Sequence, residues 1–162
     1  MCEQPDCGHI ETTAFDHAAK AVIHHLLGNT VLLVTMSTYG DDSVVHVDER
    51  SRINFIIATF AGPWAQKFFS DQPATMFECD ESFRLIDEAL GISSPLDSQV
   101  VIREELKEHA RQMVLANETS IRIVAKHLIS HGDIGNPHHS FGWTATQILD
   151  NIIRTANPPP AE

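Results

Sequence analysis

Asp16, His17 and Lys20 bring a carboxylate, an imidazole and an amine together within one turn of a stretch with helical spacing. At i and i+4, with the acid N-terminal to the base, Asp16 and Lys20 can pair directly in the better of the two orientations on a helix. His17 and His24 lie nearly in line on the same helix. Two turns is roughly 10 Å, however, too far for both to bind one ion unaided. His24 and His25 read as a polar pair on the solvent or groove edge of that helix. Cys2, Cys7 and His9 form a Cys-x4-Cys-x-His pattern. A closed metal site needs a fourth ligand and usually tighter cysteine spacing, so a flexible terminus is the ordinary reading there. Cys79 beside Asp80 reads as a buried, inert thiol, because a Cys-His hydrolase would need His17 set against it. His131, His138 and His139 read as polar residues at or near a loop.

These residues depend on the elements that carry them. Phe15, Ala18, Ala19, Val22, Ile23, Leu26 and Leu27 predict a helix from about Thr13 to Leu27, with Thr13 and Asp16 resembling a capping box and Gly28 as its stop. Thr30 to Ser37 and Ser43 to Asp48 are β-rich runs around a Tyr39-Gly40-Asp41-Asp42 turn, which predicts a hairpin. A second helix follows over about Ser51 to Phe69. Its stripe is Ile53, Ile56, Ile57, Phe60, Ala61, Trp64 and Phe68, and Pro63 should kink or divide it. A third helix is expected over about Asp80 to Leu90, then a break at Gly91 to Pro95. One long helix is expected over about Asp97 to Ser130, with Val101, Leu106, Met113, Leu115, Ile121, Val124 and Leu128 as its apolar positions. Gly132 to Gly142 reads as a loop. A last helix should start near Thr144, where Gln147 completes a capping box, and run through Ile148, Leu149, Ile152 and Ile153. The fold class is therefore mainly α with a small β-hairpin or sheet (α+β). Residues 1–12 read as a flexible segment, 13–156 as a single domain and 157–162 as a Pro-rich tail.

The net charge of −11 in 162 residues argues against nucleic acid or an anionic membrane as partner. No run approaches the roughly 18 apolar residues that span a bilayer, and no leader is visible in the polar, acidic start. Three cysteines make a disulfide scaffold a poor fit and a reducing, cytoplasmic location the expectation. There is no Gly-rich phosphate loop of the G-x-x-x-x-G-K-[ST] kind.

Phe15-Asp16-His17-Ala18-Ala19-Lys20-Ala21-Val22-Ile23 resembles the opening helix of the peptidase domain of FtsH-type ATP-dependent zinc metalloproteases, which reads roughly aromatic-His-Glu-Ala-Gly-His-Ala-Val-Val. Ala61-Gly62-Pro63-Trp64-Ala65 is similar to the Ala-Gly-Pro-Ala-Ala segment of that family's second helix. The Leu106 to Gly132 helix and the Thr144-x-x-Gln147-Ile148-Leu149 unit resemble its closing elements. The resemblance covers about residues 13 to 155 and implies an FtsH-peptidase-like helical domain.

The chain departs from the family at the signature itself. Asp16 and Lys20 hold the two zinc-binding His positions, and His17 holds the general-base Glu position. Asp80, inside Glu78-Cys79-Asp80-Glu81-Ser82, matches by position the family's third metal ligand, an Asp. The resemblance thus implies a degenerate metallopeptidase, a pseudoenzyme with no zinc, in which Lys20 pairs with Asp16 or Asp80 where the cation would sit. Such a protein would bind a peptide or protein in the former substrate cleft through Asp16, His17, Lys20 and Asp80. Two alternatives stay open: a zinc-dependent endopeptidase with rearranged ligands Asp16, His17 and Asp80, and a helical interaction or assembly protein. A homo-oligomer is also left open.

Overall fold

A computed structural model of the chain describes residues 7–36, 44–48, 51–70, 81–94, 96–136, 143–158 and 160. The architecture is mainly helical with a small antiparallel sheet. Helix α1 (Cys7–Leu26) is its axis. Ala14, Phe15, Ala18, Ala19, Ala21, Val22 and Ile23 are all buried, which is more than one stripe of a helix can hide against one partner. The run of alanines lets neighbouring helices close in on several sides. Helix α2 (Arg52–Phe69) covers one side and helix α5 (Glu118–His131) another, while helix α4 (Gln99–Ala116) backs α2. Ile56, Phe60, Val114, Ile121, Val124 and Leu128 meet α1 in one core.

Helix α1 starts at Cys7, earlier than the Thr13 start expected from sequence, so Thr13 is not its cap. The extra turns are tied to the end of α2. The Gln66 amide donates to the Thr12 carbonyl at 3.0 Å, and the Thr12 and Ser70 hydroxyls lie 3.0 Å apart. Helix α2 begins as expected, with the Ser51 hydroxyl accepting from the Asn54 amide. It runs on through Pro63 without a break, and Pro63 is buried. Ile53, assigned to its apolar stripe, is 55 % exposed.

The single long helix expected over 97–130 is two. Asn117 breaks it with a φ of −117° and ψ of 24°, and its own side-chain amide donates to the Met113 carbonyl. Asparagine offers the backbone this local alternative to helix. Beyond the break the apolar stripe of α5 packs on α1, while Val101 and Leu115 of α4, expected to be apolar positions of one continuous helix, are exposed. Helix α3 (Glu81–Leu90) is pinned to α4 by Arg103, whose guanidinium donates to Asp87 at 2.9 Å.

The expected strand pair is present: β1 (Thr30–Thr35) pairs antiparallel with β2 (Val44–Asp48), with a bulge between Val31 and Leu33, while the Tyr39-Gly40-Asp41-Asp42 turn lies outside the described residues. The segment expected to be a loop after α5 adds a short third strand, β3 (Asp133–Ile134), giving the order β2-β1-β3. Gly132 makes the turn possible: at φ 81° it caps α5, and its carbonyl accepts from Met36 as the chain enters β3. Helix α6 (Ala145–Ala156) starts at Thr144 with the capping box the sequence predicts, and Thr146 fixes it to β1 through the Val31 carbonyl. Among the described residues no helix is long and apolar enough to cross a membrane.

Candidate functional site

The i, i+4 spacing on α1 brings Asp16 and Lys20 together as expected. The Lys20 ammonium lies 2.9 Å from Asp16 Oδ2. His17 Nδ1 lies 3.0 Å from the same oxygen. An ionised carboxylate only accepts, so Nδ1 carries the hydrogen in that bond. Asp16 is 7 % exposed and His17 is 8 % exposed, whereas Lys20 reaches further toward solvent. Burial by itself raises the Asp16 carboxyl. The Lys20 ammonium and the His17 hydrogen bond outweigh it and bring the group from 3.8 to about 2. The carboxylate is therefore ionised inside the protein and held by two donors from its own helix.

Helix α2 closes the site from above, and the contact point is Gly62. A Cβ there would lie 2.0 Å from Asp16 Oδ1, 2.8 Å from its Cγ and 2.8 Å from Lys20 Cε. The glycine is needed for close approach of two helices, with a buried ion pair in the gap it leaves. Sequence reading picked out Ala61-Gly62-Pro63 but did not assign this contact.

His17 Nε2 is buried and has no hydrogen-bond partner among the described residues. A neutral imidazole with Nδ1–H on a carboxylate presents a lone pair at Nε2, the arrangement of a base or a ligand. Asp80, Cys79, His138 and His139 lie outside the described residues, as do Cys2 and the side chains of Cys7 and His9. Among the described residues no group of three or more His, Cys, Asp or Glu side chains converges as a metal site.

His24 corrects the sequence reading. It is 4 % exposed, not on a solvent edge. Its Nδ1 lies 3.0 Å from the Asn29 side-chain nitrogen and its ring lies against Phe55. An amide NH2 only donates, so Nδ1 is the acceptor and the ring is neutral with its hydrogen on Nε2. Burial, and then the charge on Lys20, push the imidazole from 6.5 down to about 4. The missed signal is Asn29 just past the Gly28 turn, a polar side chain placed to satisfy a histidine facing inward. His25 stays half-buried, with Nε2 3.6 Å from Asp150 on α6.

Two outcomes follow from this geometry. Gly62→Ala should destabilise the protein by about 1–3 kcal/mol in denaturant unfolding, because overpacking outweighs the gain of up to ~1 kcal/mol that glycine-to-alanine brings inside a helix. In an Asp16→Ala background the penalty should shrink, since the two Asp16 atoms that clash are gone and only the flexible Lys20 Cε remains; equal penalties in both backgrounds would refute the contact.

The second outcome concerns acid. The unfolded chain takes up the His24 proton near pH 6.5 and the folded protein only near 4. Stability from the neutral ring is thus complete above about pH 6.5 and is lost as pH falls from there toward 4, by about 3 kcal/mol at most. His24→Gln should flatten that part of the stability–pH curve, and an unchanged slope would show that other groups carry it.

No protein-family model matches this chain, and neither a curated protein nor a solved structure similar to it is found.

Proposed function

We propose that this chain is a non-catalytic protein of the FtsH-peptidase-like kind, whose Asp16–Lys20 pair stands where that family holds zinc, and that its former substrate cleft binds a peptide or another protein. The observation that carries the reading is the 2.9 Å contact between the Lys20 ammonium and the buried Asp16 carboxylate. An ammonium has no lone pair to give a metal and repels a divalent ion. Carboxylate and ammonium together are not a zinc donor set, which consists of imidazoles, thiolates and carboxylates with one open position. The two residues that the family uses as ligands are here each other's counter-ion. Gly62 packing onto Asp16 supports the same alignment, because it brings the Ala-Gly-Pro segment onto the helix that would carry the metal signature.

Peptide binding is supported by the sheet. In the order β2-β1-β3, strand β2 has one neighbour among the described strands and β1 has two. A strand edge can take up an extended peptide through main-chain hydrogen bonds, with side-chain pockets giving selectivity. A second reading, a metal-dependent peptidase using Asp16, His17 and Asp80, is favoured by one observation: the buried Nε2 of His17, which has no partner among the described residues. Against it, Lys20 already occupies the Asp16 oxygen that a metal would need.

The two readings separate in one experiment. The wild-type chain should cleave no unfolded model substrate with or without added zinc, and chelator-sensitive cleavage that survives repurification would overturn the non-catalytic reading. Asp16→His, His17→Glu and Lys20→His together should create a zinc site holding about one ion per chain, because the helix already supplies the i, i+4 geometry. Asp80→Ala added to that variant should weaken the site. A folded triple variant that takes up no zinc would remove the resemblance at its centre.

Extended peptides from a random library should slow amide exchange across β2 when they bind. Slowing confined to the α4 surface, or none at saturating peptide, would count against the cleft.

A further inference from the structure

Helix α5 ends on a histidine pair that the Asp16 site does not use. His127 and His131 stand one helical turn apart, with ring centroids 4.3 Å apart and 20° between the ring planes. His131 Nδ1 lies 3.2 Å from the His127 carbonyl oxygen. A carbonyl only accepts, so Nδ1 carries the hydrogen and the lone pair is left on Nε2. Metal-ligating imidazoles are commonly set in this way, one nitrogen tied to an oxygen and the other free to bind. Among the described residues, neither the His127 ring nor Nε2 of His131 has a hydrogen-bond partner. His127 is half-buried and His131 is exposed, so the pair is open to solvent on one side.

We propose that His127 and His131 together chelate one divalent transition-metal ion of the class that prefers imidazole: nickel, copper or zinc. Two nitrogens about 2.1 Å from a tetrahedral ion stand roughly 3.4 Å apart. In the stacked arrangement the in-plane lone pairs run side by side, so both rings must turn about χ1 and χ2 to point at one ion; the i, i+4 register, which puts both on one helix face, permits that. The surroundings suit a cation. The pair sits at the carbonyl end of α5, the negative end of the helix dipole. The chain as a whole is strongly acidic. Asp133, at the start of β3, acts electrostatically on His127 from the far side of the Gly132 turn. The site is an open chelate, because the described residues offer no third His, Cys, Asp or Glu converging with the pair. Water would complete the coordination. Magnesium and calcium, which require oxygen ligands, are excluded by the same donor set.

The site is independent of the Asp16–Lys20 reading and its test does not touch those residues. Protein without an affinity tag is titrated calorimetrically with nickel chloride, and separately with magnesium chloride, at pH 7.5. One nickel ion per chain and no magnesium is the expected result, with a rise in Tm on nickel binding. His127→Ala and His131→Ala should each weaken nickel binding at least about tenfold, and the double variant should abolish it. Circular dichroism checks that each variant is folded. His127→Gln and His131→Gln serve as replacements if an alanine variant is not. Moving to pH 5.5 should release the metal, because both ligands must be neutral. Nickel binding that survives in the double variant places the metal elsewhere and overturns the proposal, as does a wild-type chain that binds no nickel.

Discussion

A carboxylate buried between two helices is the constraint on which the centre of this protein depends. Asp16 sits on the most buried helix of the fold, facing the helix that packs closest to it. Taking an ionised carboxylate out of water costs several kcal/mol unless partners replace the solvent. Lys20 and His17 supply that replacement from the same helix, so the compensation forms as soon as α1 does and needs no third element to position it. What the third element must do is stay out of the way. Gly62 does so, and the absence of a Cβ there sets how closely α1 and α2 approach.

Lys20 has a second effect. Its charge helps to hold the Asp16 carboxyl ionised and, one turn further along, disfavours a proton on His24. Burial works against the charge at Asp16 and with the amine at His24, yet both groups end deprotonated: the carboxyl ionised, the imidazole neutral. The axis of the fold is thereby left with one buried anion, one cation reaching toward solvent and one neutral ring, each with a defined partner. The Asn29 amide supplies the partner for the ring, which is why a helix so rich in histidine can pass through the core.

Local rules made much of this legible. The Asp16–Lys20 contact follows from i, i+4 spacing, the start of α6 from a Thr-x-x-Gln box, and the β1–β2 pair from two β-rich runs. The misses have two physical sources: a local side-chain bond that competes with the helix, and tertiary contacts that override local pattern. Continuous apolar periodicity from Val101 to Leu128 gives no hint that Asn117 will spend its side chain on the Met113 carbonyl and divide the helix. Polar Thr12 gives no sign that Gln66, far along the chain, will hold it in a helix. Asp133 and Ile134 are too short a run to read as a strand; only the Gly132 turn and the waiting edge of β1 make them one. At the site, the ion pair was readable, whereas the burial of His24 and the stacking of His127 on His131 were not, because each depends on which face of its helix the core claims.

That last distinction bears on what the histidines can do. Three of them on two helices show three environments: His17 is tied to a carboxylate in the core, His24 to an amide in the core, and His131 to a main-chain carbonyl at a helix end. An imidazole's chemistry is set by the partner of its other nitrogen. A carboxylate partner favours the protonated ring and makes Nε2 more basic, an amide donor occupies a lone pair, and a carbonyl partner leaves a neutral nitrogen free. Lys20 and His17 meet the same carboxylate oxygen, Asp16 Oδ2, at 2.9 and 3.0 Å. The arrangement stabilises Asp16 as an anion. The Asp16–Lys20 pair thereby serves as a charge-compensated element of the helix packing.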